Sequence, residues 1–189
     1  MASLDSNFQE LRLRLKDSTS LRNTGGDPVY YLIFHPREML QVKRLLRVWR
    51  TQLTHDDWQV ETVSLARVIG DFFADHPLRE IWQDGEAGAS LAEVNETLRA
   101  ALVDERVVEN ALLERLQPLE AQSHGLLLIT DVEALHPYIR MGAVEQRLQG
   151  RVNVPVVVLY PGTRRGQSNL SFLGIYPEDG NYRSIHIGG

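Results

Sequence analysis

Asp131 and Glu133 follow the uncharged run "LLLIT" (residues 126–130), and His136-Pro137 comes three residues later. An apolar strand ending in an acid is how many nucleotide hydrolases hold magnesium. His35-Pro36 stands in the same way behind a second apolar run, "VYYLIF" (29–34). If a sheet brought His35 and His136 together beside Asp131 or Glu133, the set would suit zinc or iron. Asp131 and Glu133 could also divide acid and base roles, provided the strand persists and keeps them on one face. The plainer reading is that the acids cap the next helix and favour its positive end, while the histidines cap and pack. A third stretch, "YPGTRRGQSNLSF" (160–172), puts Arg164 and Arg165 in a glycine-flanked turn. Arginine there could grip a phosphate or a partner's carboxylate in a two-pronged contact; otherwise the stretch is a solvated loop.

Other signatures are missing. A phosphate-gripping loop needs glycines, so that backbone N–H groups surround the anion, and a lysine with Ser or Thr opening the next helix. After "VYYLIF" the chain offers "HPREML", with no glycine and no lysine, and a proline that removes a donor. No G-x-x-x-x-G-K-[ST] occurs, and "TGGDP" (24–28) lies before the strand, on the wrong side. The six histidines show no pair at i and i+4, and no serine lies in a G-x-S-x-G elbow. Without cysteine, thiolate metal sites, disulfides and a thiol nucleophile are excluded. No cofactor is expected.

The elements that must position these residues alternate. Phe8, Leu11 and Leu15 share a helical face near the N-terminus. A strand over 29–34 precedes a helix running to about Leu53, with Pro36 tolerated in its first turn. A strand over 58–65 precedes helical residues 66–82, interrupted at Pro77. Ser90-Leu91-Ala92-Glu93 is a capping box opening a long helical stretch to Leu116 with a break at Asp104-Glu105-Arg106. Then come a strand over 125–130, a helix over 138–149, a strand over 154–162, and two strands around Pro177-Glu178-Asp179-Gly180, read as a hairpin. This pattern predicts one α/β domain over 1–189 with a helical extension over 1–24. Its sheet is mostly parallel and flanked by helices, with a C-terminal antiparallel hairpin. The architecture is P-loop-NTPase-like but lacks the phosphate-binding loop. Ligands gather at the carboxyl ends of such strands, an edge expected to hold His35-Pro36, the turn after Leu65, Asp131 to Pro137, and Pro161 to Gln167.

Composition is that of an ordinary globular protein, 43% apolar and 24% charged over 189 residues. The net charge of −5 argues against diffuse nucleic-acid or membrane binding, though not against a local basic patch. The charged N-terminus lacks a signal-peptide core, and no apolar run approaches the roughly 20 residues of a membrane span. A cytoplasmic location is expected.

Several stretches together resemble the BrxB family of BREX bacteriophage-exclusion systems. They are Pro137-Tyr138-x-Arg140, Val154-Pro155 through Tyr160-Pro161-Gly162, Gly166-Gln167-Ser168, Phe172-x-Gly174, and Asn181-Tyr182-Arg183. The resemblance covers nearly the whole chain. It implies a small non-enzymatic component of a multi-protein defence system, working beside an adenine-specific DNA methyltransferase, a large ATPase and a PglZ-like protein of the alkaline-phosphatase superfamily. The PglZ-like protein is the first expected partner. The resemblance brings no catalytic residues. The expectation is an adaptor that binds a larger protein through Tyr138, Arg140, Arg164 and Arg165. The alternative is a cryptic metal- or nucleotide-binding protein using His35, Asp131, Glu133 and His136.

Overall fold

The computed structural model describes residues 3–17, 27–166, 169–178 and 184–189. The strand Val29–Phe34 (β1) is buried along its whole length, as an unbroken apolar run requires when a strand is covered on both faces. It pairs in parallel with Val156–Arg165 (β4) on one side and Ile185–Gly188 (β6) on the other. Gln59–Ser64 (β2) and Gly125–Thr130 (β3) extend the sheet beyond β4, again in parallel, giving the order β2-β3-β4-β1-β6.

Alternate residues of each strand face opposite ways, and the two faces carry separate cores. Tyr30, Leu32 and Phe34 join Leu126, Leu128, Val157, Leu159 and Ile187. The helices Leu4–Lys16 (α1) and Met39–His55 (α2) cover that face, with Phe8 stacked on Trp49 at 4.7 Å. Tyr31 and Ile33 join Leu127, Ile129, Val158 and Tyr160 on the other face. There the cover is Leu65–Asp75 (α3), Val107–Glu120 (α6) and Met141–Leu148 (α7).

Two further helices, Arg79–Glu86 (α4) and Leu91–Asp104 (α5), stand farther out. α4 buries no residue and α5 buries only Leu102, leaving Leu78, Ile81 and Leu91 exposed. The Ser90–Glu93 capping box forms at the start of α5. The break before α6 is a left-handed Arg106 at φ 52°.

Two expectations are corrected. The antiparallel pair is not a terminal hairpin: Asn169–Phe172 (β5) folds back on the outer half of β4, while β6 crosses the sheet to lie parallel to β1. Arg164 and Arg165 are not in a turn either. β4 runs on through Pro161-Gly162 to Arg165, where Arg164 pairs with Leu170 and Arg165 with Asn169. The glycine that looked like a turn signal is a close backbone approach. A Cβ at Gly162 would lie 2.6 Å from the Ser171 carbonyl oxygen. Residues 1–2, 18–26, 167–168 and 179–183 lie outside the described residues. With them go the first three residues of the "TGGDP" signal, the far half of the Pro177–Gly180 signal, most of the Gly166–Ser168 turn, and Asn181–Arg183.

Candidate functional site

Among the described residues five parallel strands end at one edge of the sheet, and the residues there divide into two neighbourhoods. Behind β1, the His35 ring caps a short 3-10 turn (Pro36–Glu38), its Nδ1 accepting from the Arg37 N–H at 3.2 Å. The Glu38 carboxylate accepts from the His35 N–H at 3.0 Å. A chain built to grip phosphate would aim these amides at the anion; here the protein's own ring and carboxylate take them.

Past that turn, Lys43 reaches from the start of α2 to the end of β3. Its Nζ lies 2.8 Å from Asp131 Oδ1 and 2.8 Å from Glu133 Oε1. Asp131 adopts a left-handed backbone, φ 57°. Its other oxygen, Oδ2, accepts from Ser64 Oγ at 2.7 Å and Thr130 Oγ1 at 3.0 Å. Burial pushes the Asp131 carboxyl up, but the Lys43, Ser64 and Thr130 hydrogen bonds outweigh it and hold the group below the ordinary carboxylate range. The two carboxylates in turn raise the Lys43 ammonium, the hydrogen bond to Asp131 being the largest cause. The expectation that Asp131 caps the following turn is corrected, since its side chain makes no cap hydrogen bond there. Lys43 was absent from the sequence reading. The available signal was a cation near the start of the helix behind β1, at the same sheet edge as Asp131.

The second neighbourhood begins at His136. It does not join His35; its Nε2 is hydrogen-bonded to the Tyr176 hydroxyl. Among the described residues no group of three or more His, Asp or Glu could hold a metal ion. Beside His136, a cavity of about 190 Å³ opens between Pro137–Met141 and the rings of Tyr160, Phe172 and Tyr176. Tyr138 lines it and meets Phe73 edge-on at 5.8 Å; burial pushes its phenol up. Phe73 continues the aromatic contact to Trp82 of α4. Arg140 is exposed, its guanidinium carbon 6.0 Å from the centre of the Tyr176 ring, within cation–π range. Among the described residues no carboxylate pairs with it.

Arg164 is placed apart from this cavity. Its guanidinium donates to the carbonyls of Gly166 at 3.1 Å and His186 at 3.4 Å, tying β4 to β6. Arg165 follows in the same strand. The structure therefore joins Tyr138, Arg140 and His136 around one hollow, and Asp131 and Glu133 around Lys43. It separates His35 from His136, and Arg164 from Arg140.

Fold and site together define an α/β protein with a mostly parallel sheet, whose strand-end acids are held by a lysine. The model of the family described as "BREX protein BrxB" matches residues 61–187. The chain belongs to the BrxB family and is thereby a component of a BREX system. Comparison with curated proteins and with solved structures gives no match. Among the described residues no helix is long and apolar enough to cross a membrane.

Proposed function

We propose that this protein is a non-catalytic adaptor that holds a larger BREX protein, first among them a PglZ-like partner, on the surface around Tyr138 and Arg140. The observation that carries the reading is the exposed Arg140, without a carboxylate of its own, beside an aromatic hollow of about 190 Å³. Pockets for small ligands start at roughly 300 Å³, so the hollow suits one anchoring side chain better than a nucleotide. Arginine and aromatic groups are the usual centres of binding energy at protein interfaces. The exposed Leu78, just before α4, and Ile81 of α4, joined to Tyr138 through Trp82 and Phe73, would widen the contact.

The closed turn behind β1 supports the same reading, because a nucleotide phosphate would have to displace Glu38 from the His35 amide. A metal at Asp131 and Glu133 would have to displace Lys43. The test is co-expression with a PglZ-like neighbour, followed by size-exclusion chromatography and titration of the pair. Arg140→Ala should weaken the complex by roughly 2 kcal/mol or more, about 30-fold in affinity, and leave the fold intact. Equal affinity would remove Arg140 from the interface. Stabilisation by magnesium-ATP, manganese or zinc that disappears in Asp131→Asn would replace the adaptor with a metal or nucleotide sensor.

A further inference from the structure

Between Met39 and His55, α2 carries Lys43, Arg44, Arg47 and Arg50 and no Asp or Glu. Lys43 is committed to Asp131 and Glu133. The other three are exposed, and among the described residues no carboxylate pairs with any of them. The neighbouring helix shows the contrast. The cations of α1 are neutralised, Arg12 and Lys16 by Asp56 and Arg14 by Glu10. In a chain of net charge −5, three uncompensated arginines on the outer face of one helix form a local positive field. Acids more than about 8–10 Å away are screened from it at physiological salt.

We propose that this face of α2 contacts the phosphate backbone of duplex DNA. Arg44 to His55 span about 16 Å at the helical rise. An open hollow along Arg47, Arg50, Thr51, Thr54 and His55 follows that line. Arginine is the side-chain chemistry of phosphate contact; the Thr51 and Thr54 hydroxyls donate to the Arg47 and Arg50 carbonyls instead. Protein interfaces need an apolar centre, and over this span the sole exposed large apolar side chain is Val48. Nothing on the face reads base edges, so the contact is indifferent to sequence. It is also independent of the hollow at Arg140.

The test is fluorescence anisotropy of a short labelled duplex against the full chain at several salt concentrations. With three phosphates neutralised, log K should fall with log salt at a slope of about −2.7. The triple variant Arg44→Gln/Arg47→Gln/Arg50→Gln, its fold checked by circular dichroism, should bind at least tenfold more weakly with a flatter slope. Arg115→Gln, a surface arginine elsewhere, should bind as the parent chain does. The proposal is overturned if the parent chain does not bind at about 50 mM salt, or if the triple variant binds equally. It is also overturned if polyglutamate competes as well as DNA, which would assign the face to an acidic protein.

Discussion

Replacing Lys43 by Met tests whether the strand-end acids are locked by the protein itself. Methionine keeps most of the stem and removes the charge. Both partners lie 2.8 Å from Nζ, but the lysine side chain is 49% exposed, with Asp131 at 21% and Glu133 at 23%. Solvent screening then limits each pair to about 0.2–1 kcal/mol, so Lys43→Met should cost about 1 kcal/mol. In a chain of this size that lowers Tm by about 2–4 °C. The pH dependence is the sharper readout. The folded Asp131 carboxyl lies below its ordinary value, so its contribution is present above the unfolded pKa of about 3.9 and is lost as pH falls through the folded value. The raised Lys43 contributes below its unfolded pKa of about 10.4 and fades as pH rises through the folded value. Parent and variant should therefore differ across the neutral range and converge in strong acid. Urea unfolding across a pH series from 7 downward would measure this. Equal midpoints at pH 7, or a gap that survives in acid, would refute the lock.

Gly188 has φ 78°, and a Cβ there would stand 2.5 Å from Asn7 Nδ2 and 2.6 Å from the Ile33 oxygen. Gly188→Ala should cost about 2–5 kcal/mol, combining left-handed strain with overpacking. Gly150→Ala, at φ 73° in open space, should cost only the backbone part, about 1–2 kcal/mol; thermal melts of the two separate these contributions. Glu109 is 4% exposed and its Oε1 accepts from Arg147 at 2.6 Å, while Oε2 has no hydrogen-bond partner among the described residues. Arg147→Met should destabilise by about 2–3 kcal/mol, tempered by the arginine's exposure. Adding Glu109→Leu should recover most of the loss, as chemical denaturation would report.

The sequence displayed local periodicity well and long-range choice poorly. β1 and β3 stand where their apolar runs placed them, because a strand covered on both faces has no polar residue to spare. The capping box at Ser90, the break at Pro77 and the break at Glu105-Arg106 are legible for the same local reason. The destination of β6 was not. A Pro-Glu-Asp-Gly cluster is a turn signal, and nothing local tells a hairpin from a crossing to β1. Arg164 and Arg165 were misplaced because Gly162 permits close packing against β5 as readily as it permits a turn. At the site, the acids were visible but Lys43 was not. Its pairing with Asp131 spans the sheet edge, and surface lysine on a helix is ordinary until the topology is known.

The pairing of β1 has a consequence for how the chain reaches this fold. Tyr30 pairs with Val157 and Ile185, so both neighbours of β1 come from the last third of the sequence. Contacts between such distant segments form slowly, because loop closure must be met before they contribute. "VYYLIF" emerges among the first strands, apolar and uncharged, a composition that favours strand-to-strand association between chains. Until residues 156–188 arrive, both of its edges are open. Yield should therefore depend on chain concentration and temperature during synthesis more than on final stability, and any truncation before Val156 should aggregate through this segment.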